Sequence, residues 1–125
     1  MKILLIATAF IEVLAGLALL LLPSQAASLL FGSALGTPTA LVVARLAGVA
    51  LLTLGVACWL GRSEEKGRIG NALVGAMLVY NTAVAALISY ARIGIGLIAL
   101  LLWPAVLLHA VMAIWCITCL RGNRA

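Results

Sequence analysis

Four apolar runs, each long enough to cross a lipid bilayer, use up almost the whole of this chain. They cover residues 3–22, 38–61, 69–90 and 96–120 of 125. A helical span needs about 20 mostly apolar residues to cross about 30 Å of hydrocarbon. What remains between the runs is too short for a separate soluble domain. The composition agrees: 66% of residues are hydrophobic and only 9% charged, against roughly 45–50% and about 25% in water-soluble domains. The expected fold is therefore all-α, a polytopic membrane four-helix bundle forming a single domain over residues 1–125.

The net charge of +5 does not make this a nucleic-acid-binding surface, because the basic residues are distributed by loop. Lys2 precedes the first run, Arg62, Lys66 and Arg68 lie between the second and third, and Arg121 and Arg124 follow the fourth. Only Arg92 lies in the opposite set of loops, while Arg45 is inside a run. Excess Lys and Arg mark cytoplasmic loops, so both termini are expected in the cytoplasm of a bacterial inner membrane, N-in and C-in. The first run has a basic start, but it is longer than the usual signal core and carries Glu12, so it is expected to stay as a span. Cys58, Cys116 and Cys119 fall near the cytoplasmic ends of their runs, where disulfides are not expected.

The connections divide into polar and apolar kinds. "GRSEEKGRIG" is a solvated turn, in which a Ser63–Lys66 cap is conceivable. The segment 24–36, "SQAASLLFGSALG" with its neighbours, is uncharged and too short to cross, which suits an interfacial or re-entrant helix on the outer side. Thr37 and Pro38 form a helix start: the hydroxyl can cap, and proline in the first turn removes an N–H that has no partner anyway. Pro104 either kinks the last helix or marks its start; a single kinked helix beginning near Leu97 is the expected arrangement.

Each run carries one strongly polar residue near its middle: Glu12, Arg45, Asn81 and His109. At 1.5 Å per residue the four lie roughly 15, 10, 14 and 18 Å from the outer boundary. Alternating spans thus bring them into one layer about 8 Å thick. Small residues accompany them, including Thr8 and Gly16 around Glu12 and Gly48 and Gly55 after Arg45. Such residues let helix backbones approach closely, so the polar layer is expected to face into the bundle. An ionised group in hydrocarbon is costly without a partner, and Arg45 is the partner expected for Glu12, with Asn81 and His109 completing a network.

Two readings of that layer follow. In the first, a buried Glu12–Arg45 network holds together a non-catalytic membrane protein, an oligomer or an accessory subunit of a larger membrane complex. In the second, Glu12 is the titrating site of a small proton-coupled transporter or channel. Enzymatic activity is not expected, since one histidine, one mid-span glutamate and three thiols offer little for acid–base chemistry. No cofactor or metal is expected either: Cys116 and Cys119 supply at most half a closed site. The partners expected are membrane lipids and further membrane protein, through Gly- and Ala-rich faces that favour helix association.

Two family resemblances accompany this reading. "AFIEVLAG" resembles the first helix of the small multidrug resistance transporters, which implies a coupling role for Glu12. Over most of the chain, "GLALLLLP", "ARLAGVALLTLGVACWL" and "LWPAVLLHAVMAIWC" resemble four-helix bacterial membrane proteins of the DoxX-like kind. The second resemblance implies a four-helix membrane fold and brings no particular chemistry with it.

Overall fold

The computed structural model describes residues 1–64 and 67–122 and contains five helices: α1 (Lys2–Leu21), α2 (Pro23–Phe31), α3 (Pro38–Gly61), α4 (Arg68–Ile93) and α5 (Leu102–Gly122). Four of them, α1, α3, α4 and α5, are long and apolar enough to cross a membrane. No strand occurs among the described residues. Glu65, Lys66 and residues 123–125, which include Arg124 and half of the conceivable Ser63–Lys66 cap, lie outside the described residues.

The helices associate as two close pairs, α1 with α3 and α4 with α5. The α1–α3 seam is a backbone contact. A Cβ placed on Gly16 would lie 2.7 Å from the carbonyl oxygen of Gly48, and one on Gly48 would lie 2.8 Å from that of Gly16. Two turns further along α3, a Cβ on Gly55 would meet Val13 at 2.8 Å and the Ala9 carbonyl at 3.0 Å. Only glycine permits this approach, which gains dispersion contacts between the two backbones. Gly16, Gly48 and Gly55 are therefore occupied inside the chain, while Gly75 on α4 faces open space.

Element starts follow local chemistry. Thr37 Oγ1 accepts a hydrogen bond from the Ala40 N–H at 3.2 Å, and Pro38 occupies the first turn of α3, as the sequence indicates. The last helix is a correction: it does not begin near Leu97 but at Leu102, with Pro104 in its first turn. A proline there disturbs no helical hydrogen bond, so nothing forces a kink. The 21 residues of α5 rise about 32 Å, enough for a span.

The five residues freed from α5 lie against α2. The Leu101 N–H donates to the Leu29 carbonyl at 3.1 Å. α2 ends at Gly32, whose φ of 83° is left-handed and whose missing Cβ leaves room for the Ile98 carbonyl. The outer segment is thus a short helix, capped by glycine and tied to the start of α5.

The two ends of the bundle differ in packing. At the end away from α2, Leu4, Leu5, Ala9, Cys58, Val74, Met77, Met112 and Cys116 form a buried core. At the α2 end the helices leave a partly open cavity between them.

Candidate intramembrane binding site

Glu12 is the residue around which the site is built. The buried face of α1 runs through Leu4, Leu5, Thr8, Ala9, Glu12 and Gly16, one or two residues per helical turn, so a seam dictated by glycine and leucine also turns the carboxyl inward. Glu12 is 3% exposed, and its Oε2 accepts a hydrogen bond from the Tyr80 hydroxyl at 3.1 Å. Thr8 is equally buried, one turn toward the solid end, and its hydroxyl has no hydrogen-bond partner.

Asn81 and His109 join α4 to α5 beside this pair. The Asn81 side-chain amide donates to the Met77 carbonyl at 2.8 Å, within α4. Its Oδ1 lies 2.8 Å from His109 Nδ1. The Tyr80 and His109 rings meet edge-to-face, with centroids 5.7 Å apart and an interplanar angle of 79°. Such a pair contributes about 0.5–1.5 kcal/mol beyond its buried area. Two hydrogen-bonded groups, Met77–Asn81–His109 and Tyr80–Glu12, therefore lie side by side, joined by the aromatic contact.

Three of the four polar residues placed at a common depth thus come together, and Arg45 does not. It is exposed on the outside of α3, and among the described residues no ion pair joins it to Glu12. The buried faces of α3 run through Gly48, Gly55, Cys58 and Gly61, and the guanidinium lies off that edge. About 10 Å of helix separates it from the α3 start, a distance that a long side chain partly covers by snorkelling toward the interface. The acid finds its partner in Tyr80 instead. Depth and spacing alone pass over Tyr80, because aromatics in spans are mostly packing or interfacial residues. The usable signal was its position: a mid-span hydroxyl has no water to bond and needs a protein partner.

Above this polar floor lies a cavity of about 350 Å³. Glu12, Tyr80 and His109 line it, together with Ala15 and Ala18 of α1, Ala26 and Ala27 of α2, and Ala105 of α5. The remaining walls are mostly leucine, isoleucine and valine. Size and lining match a site for a small organic molecule, apolar with a few convergent polar groups. The chemistry offered is hydrogen bonding at one end and dispersion elsewhere.

The thiols belong to the other end: Cys58 and Cys116 are fully buried in the solid core, and Cys119 is half-buried. No group of three or more His, Cys, Asp or Glu positioned to hold a metal ion occurs among the described residues. A stacked pair marks the polar turn after α3, where the Arg62 guanidinium lies 3.9 Å from the Trp59 ring centroid and donates to the Trp59 carbonyl. Phe10 packs edge-on against the same indole. Comparison of the chain with protein-family models, with curated proteins and with solved structures found no match.

Proposed function

We propose that this is a non-catalytic, multi-pass inner-membrane protein that binds a small, largely apolar molecule in a cavity between its helices. The observation that carries the reading is the cavity floor: Glu12, Tyr80 and His109 converge at mid-span on a space of about 350 Å³. Polar side chains that served only to hold helices together would be packed over on all sides. Here they face empty volume beneath an apolar wall, which is the usual arrangement of a ligand pocket. Ionisable groups placed within a span carry function by default.

The cavity lies at the end of the bundle that the loop charges assign to the outer leaflet, with α2 alongside it. Toward the cytoplasmic end the core of Leu4, Leu5, Met77 and Met112 blocks the way. That asymmetry favours capture from one leaflet over a continuous channel. Transport coupled to Glu12 would require the solid end to open, and it remains the second reading on the strength of the buried carboxyl alone. An accessory role in an oligomer or a larger complex is compatible with the same site.

The test is a cavity-filling variant. Ala105→Phe places a ring in the cavity without altering its polar groups. In nanodiscs, the wild-type protein should retain a decyl-chain probe on native mass spectrometry and the variant should lose it. Equal retention by both would overturn the reading. Reconstituted vesicles separate capture from transport: proton-coupled flux abolished by Glu12→Gln would establish the transporter.

A further inference from the structure

The polar groups of the cavity floor can be counted donor by donor, and the count is one-sided. Tyr80 has one O–H, and it is committed to Glu12 Oε2. Asn81 has two amide N–H groups on a nitrogen bonded to the Met77 carbonyl. That bond fixes the amide orientation, so Oδ1 is the atom turned to His109. An amide oxygen only accepts, so the Nδ1 of His109 must carry the hydrogen. In a neutral imidazole, Nε2 then bears a lone pair and can only accept.

With the Glu12 carboxyl ionised, what remains for a ligand is therefore two acceptors, Glu12 Oε1 and His109 Nε2. Neither makes a hydrogen bond to another described residue, and both belong to side chains lining the cavity. Of the donors on the side chains that line the cavity, the Tyr80 O–H and the His109 Nδ1–H are both consumed within the floor, and the second amide N–H of Asn81 belongs to a side chain that does not line it. A carbonyl or carboxylate brought to this floor would face acceptors and leave its own oxygen unbonded in an apolar surrounding.

We propose that the cavity selects molecules whose polar end is a hydrogen-bond donor, an amine or hydroxyl group on an apolar body. Asn81 acts as a positioning residue: it touches no ligand but sets which face of the imidazole the ligand meets. This specificity rests on the cavity being a binding site, and the experiment separates the two claims.

Four decyl-chain probes of similar size suffice: decylamine, decanol, 2-decanone and decyltrimethylammonium. The last carries charge without a donor. Each is measured against wild-type protein and Ala105→Phe in nanodiscs, corrected for partition into lipid. The amine and the alcohol should bind roughly tenfold tighter than the ketone, the difference expected for one hydrogen bond of about 1.4 kcal/mol. The quaternary ammonium should group with the ketone. Equal binding of all four, lost in Ala105→Phe, would overturn donor selection and leave the cavity reading intact. No probe sensitive to Ala105→Phe would overturn both. Glu12→Gln supplies an amide donor to the floor and should abolish or invert the preference for alcohol over ketone.

A second readout does not depend on any variant folding. Nitrogen-15 NMR of the wild-type protein should show His109 as the Nδ1–H tautomer with an unprotonated Nε2. Asn81→Leu should release the tautomer and weaken the amine and alcohol selectively. An Nε2–H imidazole in the wild-type protein would overturn the proposal.

Discussion

The two ends of this bundle are made from the same helices and nearly the same palette of residues, yet one is solid and the other hollow. On α1, Leu4 and Leu5 fill the solid end, while Ala15 and Ala18 line the cavity. On α5, Met112 and Cys116 close the core, while Ala105 and His109 face open space. The lesson is that side-chain volume along one helical face, rather than hydrophobicity, decides whether a membrane bundle stores a site. Hydropathy is nearly blind to that choice, because alanine and leucine both suit the hydrocarbon. Packing distinguishes them, since protein interiors fill space to crystal-like density unless small residues prevent it.

Substitutions can break or sharpen this contrast. The largest effect is expected where both ends share their frame. Gly16→Val would drive side-chain atoms into the α3 backbone 2.7–2.8 Å away and should cost about 3 kcal/mol, read as unfolding free energy in mild detergent. An unaffected midpoint would mean that α1 and α3 are not in backbone contact. Next, Leu5→Ala in the solid end should cost about 2 kcal/mol. That is the low side of the range for soluble cores, because lipid removes the hydrophobic contribution and leaves the cavity term. Leu108→Ala, on the cavity wall and already 40% exposed, should cost less than half as much. Equal losses at the two positions would erase the contrast between solid and hollow ends.

The polar floor gives smaller effects. Asn81→Leu strands the His109 N–H and should cost about 1–2 kcal/mol. Tyr80→Phe removes one hydroxyl from Glu12 and should cost about 0.6 kcal/mol, the average for interhelical hydrogen bonds in membranes. Gly75→Ala is the change expected to have the opposite sign. An added Cβ there meets nothing within 4 Å, so the better helix propensity of alanine should raise the midpoint slightly, by up to about 1 kcal/mol. A loss instead would show that α4 has a neighbour at that face.

Much of the frame was legible from periodicity and local chemistry. The apolar runs gave the four long helices to within a few residues, and Thr37–Pro38 gave the start of α3. The last helix was the exception, because proline in a first turn and proline at a kink look alike in sequence. The difference lay in the Leu101–Leu29 hydrogen bond, a contact between segments about 70 residues apart. For the site, spacing along each helix pointed to Glu12, Asn81 and His109 as neighbours, and the Tyr80 contacts bring the three together, although the count for His109 started five residues too early on α5. Spacing left Arg45 in the wrong place and missed Tyr80. Depth follows from 1.5 Å per residue; direction around the axis follows from which neighbour each helix packs against.

The chain's order of residues thus determined that four long apolar helices form and how far along each run its polar side chain sits, because both are properties of a single helix. Only the tertiary structure decided that the carboxyl meets a phenol and not a guanidinium, and that a cavity lies above them. Partner and empty volume are properties of several helices at once, set where glycine lets two backbones touch and alanine leaves the space between others unfilled.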